Sequence, residues 1–181
     1  MKVIILFLIV FFSFHSCAKK DKILVVKTER NYPIDSFKNY SFKFLDTDYE
    51  FDMQSRKFKI SFYKFSDSIK LSKTEENKIA NNFFEKFIDT LQNDNFIRDP
   101  NKPLVMPNFG DSFYIYNKGL NKSFIKIENG EYKYTEEYSE KDKNILKFKK
   151  ELFNVLNQNP DFKRCLDTLK SAKKYDDRIF L

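Results

Sequence analysis

The most regular pattern of apolar and polar positions runs through residues 45–62. Asp46, Asp48, Glu50 and Asp52 alternate with Leu45, Thr47, Tyr49, Phe51 and Met53, and Lys57 and Lys59 then alternate with Phe58, Ile60 and Phe62. Period two is the strand signature. Folding back around Gln54-Ser55 sets Asp52 opposite Lys57, Glu50 opposite Lys59, Phe51 opposite Phe58 and Tyr49 opposite Ile60. One register thus pairs unlike charges on one face and apolar groups on the other, as cross-strand energetics prefers. Residues 66–71 add a strand.

The period then changes. Ser72-Lys73-Thr74-Glu75 reads as a capping box, and Ile79, Phe83, Phe87 and Leu91, flanked by Ala80, Phe84 and Ile88, form a stripe at helical spacing. The pattern predicts a helix over 73–92. Residues 93–110, with Pro100, Pro103 and Pro107, read as a long irregular connection. Strands are expected at 112–116 and 123–128 around Asn117-Lys118-Gly119, and Asn129-Gly130 is a favoured hairpin turn that would return 131–135 onto the preceding strand as a meander. Ser139 caps a helix whose inward face is Ile145, Phe148, Leu152 and Leu156. After Asn159, Pro160 opens a last helix with Phe162, Cys165, Leu166 and Leu169 inward. The order predicts an α+β domain: an antiparallel sheet of hairpins and meander, one central amphipathic helix and a C-terminal helical pair.

Composition agrees with one folded unit. The 181 residues include 22 Phe and 10 Tyr, too many core-forming side chains for a disordered chain, although mean hydropathy is only -0.58. The first residues stand apart. Met1-Lys2 is a short positive start, residues 3–14 are apolar apart from Ser13, and His15-Ser16 lead to Cys17. This is the layout of a secretory signal, too short for a spanning helix of about 20 apolar residues. The reading divides the chain into a signal at 1–16, a tether at 17–22 and a single domain at 23–181.

Phe14-His15-Ser16-Cys17 resembles the lipobox of bacterial lipoproteins. The resemblance covers only the start of the chain. Ser16 fits the small residue before the cysteine, whereas Phe14 and His15 replace the usual Leu and small or aliphatic residue. It implies cleavage before Cys17, acylation of that cysteine (diacylglyceryl, then palmitate) and a membrane anchor. Each buried CH₂ contributes about 0.8 kcal/mol, and Lys19, Lys20 and Lys22 can meet anionic head groups. Ala18, where Asp would mark inner-membrane retention, resembles the outer-membrane class of a Gram-negative envelope. The domain's order of elements resembles small envelope lipoproteins.

With Cys17 acylated, Cys165 has no partner and reads as a buried apolar side chain. Removing Lys2 with the signal leaves 32 Lys and Arg against 26 Asp and Glu, a net +6. The excess is Lys rather than Arg, 28 to 5 in the full chain, and is interspersed with acids, so no nucleic-acid partner is expected.

Most catalytic chemistry lacks its residues. The only histidine, His15, leaves with the signal, which removes imidazole triads and His-based zinc sites. Gly110, Gly119 and Gly130 are isolated in turn-like sequence, so no phosphate-cradling loop exists and no cofactor or metal is expected. Asp46-x-Asp48-x-Glu50 starts like a calcium loop, but Phe51 and Lys57 stand where an EF-hand needs Gly and Glu; a charged strand face is the simpler reading. Tyr114 and Tyr116, with Tyr132 and Tyr134, could form an aromatic platform for glycan or peptide, or pack as ordinary half-buried sheet tyrosines. The expectation is a non-enzymatic, lipid-anchored binding or accessory protein whose partner is another envelope protein. An immunity or inhibitor lipoprotein is one alternative. A carboxylate-dependent hydrolase is the other, and it requires a concave site with two close acids of raised pKa.

Overall fold

A computed structural model describes residues 34–99, 110–128 and 138–174. A short helix α1 (Ile34–Phe37) leads into β1 (Tyr40–Leu45), β2 (Tyr49–Asp52), β3 (Lys57–Ile60) and β4 (Ser66–Ser68). Helix α2 (Lys73–Glu85) and a 3₁₀ turn (Ile88–Thr90) follow, then β5 (Asn95–Ile97), β6 (Gly110–Asn117), β7 (Leu120–Glu128), α3 (Glu140–Leu156) and α4 (Pro160–Lys174). The seven strands form one sheet in the order β4-β3-β2-β1-β6-β7-β5. The fold is α+β, with a central amphipathic helix and a C-terminal helical pair.

The β2–β3 hairpin has the register the charge pattern predicts: Asp52 opposite Lys57, Phe51 opposite Phe58, Glu50 opposite Lys59 and Tyr49 opposite Ile60. Phe42, Phe44, Phe51, Phe58, Phe113, Ile115, Ile125 and Ile127 fill the covered face of the sheet. The helices dock edge-on. From α3, the Phe148 ring meets Phe42 at 5.8 Å, Phe83 of α2 at 5.9 Å and Phe113 at 5.8 Å. From α4, Phe162 meets Phe58 at 5.6 Å and Phe51 at 6.0 Å. Such edge-to-face and tilted ring pairs add to the area term, and each buried Phe contributes about 1.5–3 kcal/mol.

Several sequence expectations change. The alternating stretch 45–53 is not one strand, because residues 46–48 turn the chain from β1 to β2. The Asp46 carboxylate accepts the Asp48 N–H at 3.0 Å, which fixes the turn. Leu45 consequently faces away from Tyr49 and Phe51, opposite Glu50. Helix α2 ends at Glu85 rather than near 92, since Phe87 adopts φ 57 and starts a 3₁₀ turn. Within 93–110 a short strand, β5, runs parallel to β7, so the sheet is mixed rather than wholly antiparallel. Residues 131–135 lie outside the described residues, and the edge of β7 on which they were expected is taken by β5 at Ile125–Ile127. The other edge of β7 carries β6.

Candidate functional site: the open face of the sheet

All three long helices dock on one face of the sheet, and the side chains on its other face are read directly from the registers. Glu50, Leu45, Ser112, Lys126 and Phe96 form one row across five strands. Asp52, Lys43, Tyr114 and Phe124 form the next. The aromatic members converge. Tyr114 and Phe124 lie 4.9 Å apart between ring centroids, and Phe124 meets Phe96 edge-on at 6.2 Å. Phe96 is 71% exposed, far more than an aromatic on a packed strand, while Tyr114 and Phe124 are half-buried. Toward β2 and β3 the face is charged: Glu50 bridges Lys59 at 2.8 Å and Lys43 at 3.8 Å. An apolar ring cluster with a charged flank offers packing area and orientation without a reacting group.

This site overlaps the sequence reading only in part. Tyr114 and Tyr116 lie on the same, open face of β6, as the alternation predicts, since β6 pairs with β1 without a break from Ser41–Tyr116 to Lys43–Tyr114; the ladder shift between Ile115 and Tyr116 falls on the β7 side. Tyr132 and Tyr134 lie outside the described residues. Phe124 and Phe96 were missed. Phe124 was legible as the outward member of alternation with Ile125, whereas the three residues of β5 are too few for a period to show.

At one end of the sheet, the β1–β2 turn brings Asp46 and Asp48 beside Asp111 at the start of β6. Burial, and then the neighbouring carboxylates of Asp111 and Asp48, hold the Asp46 carboxyl above the usual carboxylate range, partly offset by the Asp48 N–H it accepts. Lysines from both C-terminal helices supply counter-charge: Lys149 pairs with Asp111, and Lys173 reaches Asp48 at 2.5 Å. Burial first, and then these acids, push the Tyr49 phenol upward, so it stays protonated against the stacked Phe58 ring at 4.7 Å. The Asp46 carboxyl thus lies in hydrogen-bond contact with Asp111, while the lysines tie the helices to the turn. Asp46 and Asp48 are therefore turn residues, not members of a charged strand face; Glu50 and Asp52 do lie on one. Among the described residues no group of three or more His, Cys, Asp or Glu is arranged to hold a metal ion.

Cys17 lies outside the described residues. Cys165 is fully buried on α4, and burial pushes its thiol up to about 11, so it packs as an apolar side chain. Among the described residues no helix is long and apolar enough to cross a membrane. Comparison of the chain with protein-family models, with curated proteins and with solved structures finds no match.

Proposed function

We propose that the protein is a lipid-anchored component of a bacterial cell envelope, held through acyl chains on Cys17 in the outer membrane, and that its α+β domain is a non-enzymatic binding or accessory module for another envelope protein. The observation that carries the binding reading is the ring cluster Tyr114–Phe124–Phe96 on the open sheet face, with Phe96 71% exposed and Glu50, Lys43 and Lys59 alongside. Aromatic anchors with a charged surround are the usual composition of a protein-binding patch. A photo-cross-linking side chain placed at position 96 or 114 in the membrane-bound chain should capture one discrete envelope protein. The same group at position 163, on the exposed side of α4, should not. Capture at 163 and none at 96 or 114 would contradict the assignment of this face.

A second reading, acid-dependent hydrolysis, is favoured by one observation: the close carboxyls of Asp46 and Asp111, with the Asp46 carboxyl raised above the usual carboxylate range by burial and like charge. Lys149 and Lys173 already engage this cluster, which favours a structural role for it. Glycan turnover abolished by Asp46→Asn in a stably folded chain would make the hydrolase the better account.

A further inference from the structure

The rings on the open face of the sheet do not make a flat platform. Phe124 is tilted 45° from Tyr114 and stands at 73° to Phe96. A sugar stacks best on one broad aromatic plane, whereas rings set tilted and edge-on leave clefts between them that fit methyl, methylene and phenyl groups. The shape suits the apolar side chains of a peptide.

The charge beside the rings narrows the kind of peptide. Lys126 stands within the cluster: its cross-strand neighbours are Ser112 on β6 and Phe96 on β5, and Phe124 lies two residues before it on the same face of β7. It is half-buried, and its ammonium has no ion pair or hydrogen bond among the described residues. Glu128, two residues further along β7, does not pair with it. On the other side of the rings, Lys43, Lys57 and Lys59 face only two acids, Glu50 and Asp52, and Glu50 is shared between Lys59 at 2.8 Å and Lys43 at 3.8 Å. Positive charge is therefore in excess on both sides of the cluster, on a chain whose formal net charge is +7. Lys126 has lost part of its water to the surrounding rings and gained no counter-ion. A carboxylate delivered there meets a charge-assisted donor in a medium less polar than water, which strengthens the pair. We infer that the segment received by this face is both apolar and acidic: an Asp or Glu carboxylate of the partner protein pairs with Lys126 while the apolar side chains beside it fill the clefts between Tyr114, Phe124 and Phe96. This rests on the reading of the open face as a protein-binding surface and names what that surface selects.

The test uses the full chain in the membranes of the cells that produce it, with a photoreactive phenylalanine at position 96. With Lys126 in place, capture of the partner should fall as salt is raised. Lys126→Gln should cut capture about tenfold, the loss of one charge-assisted hydrogen bond, and should flatten the salt dependence. Lys126→Arg should keep both. A second arm replaces light with a water-soluble carbodiimide, which activates carboxylates; the Lys126 amine displaces the activating group as a urea and forms an amide with no spacer. Peptide mapping should find Lys126 joined to an Asp or Glu of the same protein that position 96 captures. Undiminished capture with Lys126→Gln, or the absence of that amide, would overturn the inference. So would an amide to an acid of a second copy of this chain, which would make the face a self-association surface, or to a saccharide carboxylate, which would make the occupant an acidic glycan. The two readings fail separately: no capture at 96 with Lys126 in place sinks the binding face and this inference with it, whereas capture indifferent to Lys126 sinks the acidic segment alone.

Discussion

Asn159 shows how one polar side chain can hold several elements. It is 1% exposed, and its Nδ2 donates to the Lys70 carbonyl at 2.9 Å and to the Glu75 carboxylate at 3.0 Å. Its Oδ1 accepts the N–H groups of Asp161 and Phe162 at 3.0 and 3.1 Å, capping α4. Asn159→Ala should therefore destabilise the domain by about 2–3 kcal/mol in denaturant unfolding, combining a lost cap with buried partners left unpaired. The sequence marked this position only as a helix boundary before Pro160, because a side chain's distant partners, Lys70 and Glu75, leave no local pattern. Asp46 makes the opposite prediction. Its carboxyl is raised by burial and by Asp111 and Asp48, so the folded state binds its proton more tightly than the unfolded state does. Stability from that proton is present below the ordinary carboxylate pKa and lost as pH rises through the raised one. Asp46→Asn, which can still accept the Asp48 N–H, should raise the Tm at neutral pH, and the gain should vanish in acid; a lower Tm at neutral pH would refute the assigned shift.

At the scale of elements, legibility follows the length and purity of the pattern. The register of β2 against β3 could be read because charges on one face and aromatics on the other agree on a single alignment. The caps could be read because Ser72 with Glu75, and Ser139 with Asp142, act within one turn of chain: Ser139 Oγ accepts the Asp142 N–H at 3.1 Å. Strand β1 was hidden although it is central. Its own alternation, Tyr40, Phe42 and Phe44 against Ser41 and Lys43, abuts the alternation that continues into β2 at Phe44-Leu45, and the turn at 46–48 contains neither Gly nor Pro. The cue was a phase change, with Phe44 and Tyr49 both inward and five positions apart. Strand β5 is held by long-range polar contacts, Asn95 Nδ2 donating to Ser123 Oγ at 3.1 Å and Ser123 Oγ to the Asn93 carbonyl at 2.7 Å. Helix α3 locks the layers through Phe148, so Phe148→Ala should cost about 3–5 kcal/mol, seen as a lower denaturant midpoint with an unchanged slope. A loss under 1 kcal/mol would mean that the inner face of α3 is not the keystone of the helical layer.

At the scale of the molecule, the sheet separates three kinds of surface. One face is covered by helices, the other carries the Tyr114–Phe124–Phe96 cluster, and the two ends differ in charge, acids at the β1–β2 turn and Lys38, Arg56 and Lys118 at the other. Under the proposed anchoring, the aromatic face would be the surface open to a neighbour in the envelope. The composition of these surfaces was legible in the sequence; their location was not, because it depends on strand order and on which sheet face the helices choose. The proposed envelope role depends on acylation of Cys17. The most direct measurement is the intact mass of the protein extracted from the membranes of cells that produce it. A chain beginning at Cys17 and heavier than its polypeptide by a diacylglyceryl group, with or without a further acyl chain, is the result expected. A chain cleaved elsewhere, or beginning at Cys17 without acyl groups, would contradict the proposed anchor and leave the aromatic face as the binding surface of an unanchored protein.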